Sequence, residues 1–179
     1  MSNQLNKLLH IATLGKTVGL KGDIKLHINS DFPEQFKKGV SFFIDKGEQV
    51  TFADINSDKT VVKIVGFESP ESVKKLTNKK IYTTMERTRA ECNLADGEYF
   101  WFDLEGCRVV EDGVVLGVVD EIERITTTNY LFVKTDDALV SKGLSKSFLI
   151  PFCKPFALKT DISNSIIEVS GALDILEAS

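Results

Sequence analysis

The sequence predicts an all-β protein built as two small β-barrels in tandem, with a short helix or two. Three observations predict it. Short stretches alternating apolar and polar residues, the period-two signature of a strand with one buried face, recur along the 179 residues. The pattern breaks once, at TMERTRAECN, and the charge changes sign across the break. Residues 1–88 hold 14 Lys and Arg against 10 Asp and Glu, a net of +4, whereas residues 89–179 hold 8 against 16, a net of −8. Neither half shows the strand–helix alternation of a doubly wound fold. The predicted boundaries are a first barrel over residues 1–88, a linker over 89–97 and a second barrel over 98–179.

In the first half, Leu8–Thr13 reads as a strand, followed by the glycine-rich stretch Gly15–Gly22. Asp23–Ile28 alternates cleanly, with Ile24, Leu26 and Ile28 on one face. Pro33 suits the start of a short helical turn. Ser41–Ile44, Val50–Ile55 and Thr60–Ile64 are further short strands, separated at Gly47 and at Asn56-Ser57-Asp58. Ser69-Pro70 is a helix start, a serine cap with proline in the first turn. Val73 and Leu76 continue it at helical spacing, and Asn78 ends it. Ile81–Thr84 closes the half.

In the second half, Tyr99–Phe102 reads as an aromatic strand. Asp112-Gly113 between β-branched runs is a hairpin signal. Val118–Ile125 and Tyr130–Lys134 are joined across Thr126–Asn129. Ser147–Pro151 and Ile166–Val169 bring the total to five or six strands, and Ala172–Ser179 offers a weak terminal helix.

Composition narrows the function. No apolar run approaches the roughly 18 residues of a membrane helix, and the N-terminus lacks the apolar core of a secretion signal. Cys92, Cys107 and Cys153 have no paired spacing and read as small buried hydrophobes rather than as disulfide partners or zinc ligands. Two histidines, His10 and His27, cannot make a metal cluster alone. The expectation is a cytoplasmic, reduced protein without metal or cofactor.

Gly15-Lys16-Thr17 resembles part of a P-loop, but the position where that motif needs its first glycine is His10, and Val18–Gly22 cannot start a helix. Gly19, Lys21 and Gly22 mark a tight loop instead. It is either a plain connection or a place where backbone approaches a partner, with Lys16 and Lys21 supplying charge. Asp136-Asp137 and Glu121 with Glu123 lack the buried setting of an acid–base pair. Twelve phenylalanines fit core filling better than a nucleic-acid stacking platform. The exception is Glu98-Tyr99-Phe100-Trp101-Phe102-Asp103. As a strand it would send Tyr99 and Trp101 one way and Phe100 and Phe102 the other. One pair would then lie outside as an interface anchor, or beneath the linker.

Together these segments resemble the ribosome maturation factor RimM family, also called 16S rRNA processing protein. His10–Ile28, with its Gly-Leu-Lys-Gly-acid loop, resembles the family's opening. Asp31–Phe36 resembles its Asp-Phe-Pro-Glu-Arg-Phe segment, and Gly66–Leu76 the segment entering its helix. Glu98–Gly106 resembles its Glu-Tyr-Tyr-Trp block, and Leu149–Phe152 its Leu-Ile-Pro-Phe motif. The sequence departs at Phe100, where the family has a second tyrosine, and at Thr126–Tyr130, where it has a glycine-containing loop.

The resemblance implies a six-stranded N-terminal barrel, a C-terminal barrel of the PRC type, and a non-enzymatic factor. That factor binds the immature small ribosomal subunit through a basic head protein, small-subunit ribosomal protein nineteen, and assists head maturation and 16S rRNA processing. It implies partner binding at the paired-tyrosine positions, here Tyr99 and Phe100; Trp101 is expected to provide or brace the same apolar anchor, with Glu98 and Asp103 steering. Lys16, Gly19, Lys21 and Gly22 would contact ribosomal RNA or protein, and the factor is expected to be a monomer. The rival reading is an RNA-binding module acting through the basic first barrel.

Overall fold

The structure, a computed structural model, describes residues 8–45 and 47–179. The chain divides into two compact units, Met1–Asn93 and Leu94–Ser179.

The first unit holds β1 (Leu8–Val18), β2 (Asp23–Ile28), β3 (Ser41–Ile44), β4 (Glu48–Ile55), β5 (Val61–Ile64) and β6 (Lys80–Thr84). These six form a closed barrel in the order β1-β2-β5-β4-β3-β6, every pair antiparallel. The closing seam pairs Leu8 with Thr84 and Thr13 with Lys80. Alternation turns Ile24 and Leu26 of β2, and Phe42 and Ile44 of β3, inward. The core is aromatic at its centre: Phe42 lies 5.3 Å from Phe36 and 5.1 Å from Phe52, ring centre to ring centre, and all three are buried.

Strand β1 runs further than the sequence suggested. It continues through Gly15-Lys16-Thr17 to Val18, with a bulge between Leu14 and Thr17 absorbing the irregular stretch. Only Gly19–Gly22 is turn, so Lys16 stands on a strand rather than in a loop.

Helix α1 (Pro70–Lys74) starts as predicted. The Ser69 hydroxyl accepts from the Ser72 amide at 3.2 Å, and the Ser72 hydroxyl accepts from the Ser69 amide at 3.2 Å. Val73 and Leu76 are buried, and Asn78, at φ +65°, turns the chain away. Helix α2 (Met85–Glu91) was not expected; it occupies the break and enters the segment read as linker. The Thr84 hydroxyl caps it, and the Arg87 guanidinium sits 5.1 Å over the Phe42 ring.

The second unit holds β7 (Arg108–Glu111), β8 (Val114–Ile125), β9 (Thr128–Thr135), β10 (Ser147–Pro151), β11 (Ala157–Asp161) and β12 (Ile166–Val169). They form a six-stranded sheet in the order β10-β9-β8-β7-β12-β11. Among the described residues no ladder joins the end strands β10 and β11. All pairs are antiparallel except β7–β12. Asp112 and Gly113, at φ +48° and +80°, make the two-residue hairpin their sequence signalled. The β8–β9 turn is tighter than expected, with Ile125 paired to Thr128 and Thr126 left-handed at φ +57°. Three short helices complete the unit: α3 (Trp101–Leu104), α4 (Asp137–Val140) and α5 (Ala172–Glu177). The protein is therefore mostly β, but with more helices than the one or two expected. The N-terminus of α5 is held by Glu111, whose carboxylate accepts from the amides of Gly171 and, at 2.7 Å, Leu173. The second core is mainly aliphatic, centred on Leu104, Leu116, Leu131, Ile150 and Ile167.

Candidate functional site

The aromatic segment is not a strand. The backbone is extended at Phe100 and then turns helical through Trp101–Leu104, and Gly106, at φ +83°, lies two residues past the end. A glycine at that place is the usual helix stop, and Leu104-Glu105-Gly106 was the available signal. The four rings still divide as the alternation argument divided them, for a different reason. Tyr99 and Trp101 are half-buried against the second core. Phe100 and Phe102 stack on each other, 5.1 Å apart and nearly parallel, with Phe100 only 7% exposed.

Tyr99 meets Phe152 edge-on at 6.1 Å, at the lip of an open groove of about 380 Å³. Cys153, Lys154 and Leu158 also line it. Leu158 is 60% exposed. Trp101 lies under the Arg124 guanidinium at 5.5 Å, and Arg124 donates to the Asn129 side chain at 3.0 Å. The tight Thr126-Thr127 turn thus brings Asn129 to hold the arginine over the ring. The Glu98 carboxylate accepts from the Ala95 amide at 3.0 Å, fixing the turn before the rings. The Asp103 carbonyl accepts from the Cys107 thiol at 3.3 Å.

The cysteines divide. Cys92 and Cys107 are buried as expected, but Cys153 is exposed, a correction to the sequence reading. Burial pushes the Cys92 thiol up to about 11, with Glu34 and Glu91 adding to the rise, and burial followed by the Asp103 charge raises Cys107.

In the β1–β2 turn, Gly19 and Gly22 have φ of +62° and +76°. A side chain on Gly19 would meet open space, whereas a Cβ on Gly22 would lie 2.6 Å from the Phe67 carbonyl oxygen. Gly22 therefore serves close backbone packing. Lys21 lines a groove of about 280 Å³ with Lys63, Ile64, Phe67 and Glu68. Leu20 at the apex is 88% exposed, a residue the sequence reading passed over. An apolar side chain between two turn glycines was the signal.

These features describe a two-domain, mostly β protein, each domain carrying its own candidate contact region. Residues 9–88 match the profile of the RimM N-terminal domain, and residues 101–175 that of the RimM PRC barrel domain. The chain is 66% identical over 179 residues, the whole of both chains, to the ribosome maturation factor RimM of Sulfurimonas denitrificans. It is 47% identical over 176 residues to that of Aliarcobacter butzleri, covering 98% of this chain and 99% of the relative. A solved structure from Pseudomonas aeruginosa, described as a 16S ribosomal RNA processing protein RimM, aligns over 94% of this chain and 99% of its own. Its identity is 18% and its TM-score 0.38. The chain belongs to the ribosome maturation factor RimM family.

Proposed function

We propose that this chain is an assembly factor that binds the immature small ribosomal subunit through its second unit. There it grips a basic protein of the head, small-subunit ribosomal protein nineteen, and so assists head maturation and 16S rRNA processing. The observation that carries this reading is the half-buried pair Tyr99 and Trp101, set in a half of the chain with net charge −8. Half-buried rings keep a fixed position and still offer apolar area to a partner. The carboxylates of Glu98 and Asp103 add negative potential beside them, which speeds encounter with a basic surface. Phe100 braces the cluster from within rather than touching the partner. In the first unit, Lys21 at the Gly19–Gly22 turn and Lys16 on β1 add contacts to ribosomal RNA or protein.

The work done is binding alone. A factor that binds one arrangement of the head more tightly than others raises its population by that difference in affinity, with no bond made or broken. On this reading the factor acts as a monomer in the cytoplasm, without cofactor or metal.

Tyr99→Ala tests the anchor. Co-sedimentation with small subunits is expected to weaken by about tenfold, the scale of an aromatic hot spot, with the circular dichroism spectrum unchanged. Parent-like co-sedimentation sinks the assignment. Phe100→Ala is a poor probe, because a residue 7% exposed leaves a cavity when truncated.

A further inference from the structure

The outer wall of the first barrel gathers residues that lie far apart in the sequence. Cross-strand pairing sets Phe43 of β3 beside Tyr82 of β6, and Tyr82 beside His10 of β1. Both Phe43 and Tyr82 alternate with buried neighbours, so they face outward. The His10 and Tyr82 rings are 5.6 Å apart, and His10 Nε2 lies 3.0 Å from the Thr13 hydroxyl. Thr13 pairs with Lys80 on one side and with His27 of β2 on the other. Gly15 makes room for His27: a Cβ there would lie 2.6 Å from His27 Nε2 and 3.0 Å from the Lys25 Cβ. The glycine that mimicked a P-loop thus lets an imidazole lie across β1.

Four rings and two lysines therefore share four adjacent strands, β3-β6-β1-β2, about 14 Å across at ~4.8 Å per strand. Two carboxylates at its margins are engaged, Asp45 by Lys79 and Asp23 by Lys63 at 3.9 Å, and Glu48 of β4 lies near Lys79. Burial and the nearby Lys80 charge hold His10 below the ordinary histidine range, which favours the neutral ring. Rings interleaved with cations are what an unpaired nucleic-acid strand requires: faces on which bases stack and charges that follow the phosphates.

We infer that this wall binds a single-stranded RNA segment, with bases stacking on Tyr82 and His10 while Lys80 and Lys25 hold phosphates. The inference rests on the proposed ribosomal role for its biological setting. It names a partner for the first unit in addition to the one proposed for the second.

The test uses the full chain and a fluorescein-labelled single-stranded oligoadenylate of ten nucleotides, with a ten-base-pair RNA duplex as comparator, followed by fluorescence anisotropy. The single strand is expected to bind more tightly than the duplex. Tyr82→Leu, which keeps apolar bulk but removes the ring, is expected to weaken it by about tenfold. Lys80→Gln, an exposed change that leaves the fold intact, is expected to lower the slope of log affinity against log salt by about 0.7. Tyr99→Ala is expected to bind the oligonucleotide like the parent. Failure of the parent to bind, equal binding of duplex and single strand, or parent-like binding by both wall variants would overturn the inference. Unchanged subunit co-sedimentation by Tyr99→Ala would sink only the anchor reading and leave this one standing.

Discussion

The two units each use six strands, yet they differ in what fills their centres. The first closes its sheet through the β1–β6 seam and fills the centre with Phe36, Phe42 and Phe52. The second centres on branched aliphatic side chains with one buried ring, Phe148, among them, and keeps Tyr99, Trp101, Phe152 and Phe156 only partly buried around them. Large rings give the most burial per residue, so a small closed barrel gains from setting them inside. A unit whose centre is filled mainly by Leu, Ile and Val leaves these four rings at the rim, where part of each face is open to a partner.

The largest expected effect follows from that difference. Phe52→Ala should cost about 3–5 kcal/mol, the scale of a fully buried ring truncated in a tight core. Trp101→Ala should cost about 1–2 kcal/mol, since its ring is only partly buried. Urea dependence of amide hydrogen exchange, read separately for β1–β6 and β7–β12, measures each loss in its own unit. Equal losses would erase the distinction between rings that fold the protein and rings that border it.

The helix caps sharpen the same contrast. In the first unit α1 is capped by Ser69, three residues from its partner Ser72. In the second, α5 is capped by Glu111, which lies 60 residues before Gly171. Ser69→Ala is expected to cost about 1 kcal/mol. Glu111→Ala removes a charged acceptor shared by two amides and is expected to cost about 1.5–3 kcal/mol. Thermal midpoints of the two variants give the comparison, and a larger loss for Ser69→Ala would show that the distant cap carries little.

These caps also show what a sequence discloses. Ser69-Pro70, Asp112-Gly113 and the alternation of Asp23–Ile28 act over a few residues, so their patterns could be read directly. Glu111 reaching α5 and the parallel pairing of Arg108 with Ile166 are made by tertiary structure and leave no local trace. The β1 bulge hid five strand residues, Leu14–Val18, around a glycine, and the helical turn at Trp101 was hidden by rings that favour strands. β11 escaped because its ALKTD stretch has no fully buried residue to mark a face. The rings of the candidate anchor stand side by side in the sequence and were legible. Those of the outer wall sit at positions 10, 27, 43 and 82 and meet only through strand pairing.

The smallest expected effect separates the units by their thiols. Cys92 of the first unit is buried and its thiol pushed up to about 11, while Cys153 of the second lies exposed beside Tyr99. At pH 8 a thiol-specific disulfide reagent should modify Cys153 promptly and leave Cys92 and Cys107 until the chain unfolds, because the thiolate is the reacting form and burial denies it both charge and access. The raised Cys92 value carries a sign for stability. The folded chain holds that proton more tightly than the unfolded chain, whose thiol titrates near its ordinary value of 9.0. The contribution is therefore complete below pH 9 and is lost as pH rises from 9 toward 11. Cys92→Ala should flatten the decline of the urea midpoint across that window relative to the parent. Parallel profiles for the parent and Cys92→Ala would mean that the buried thiol does not couple to folding.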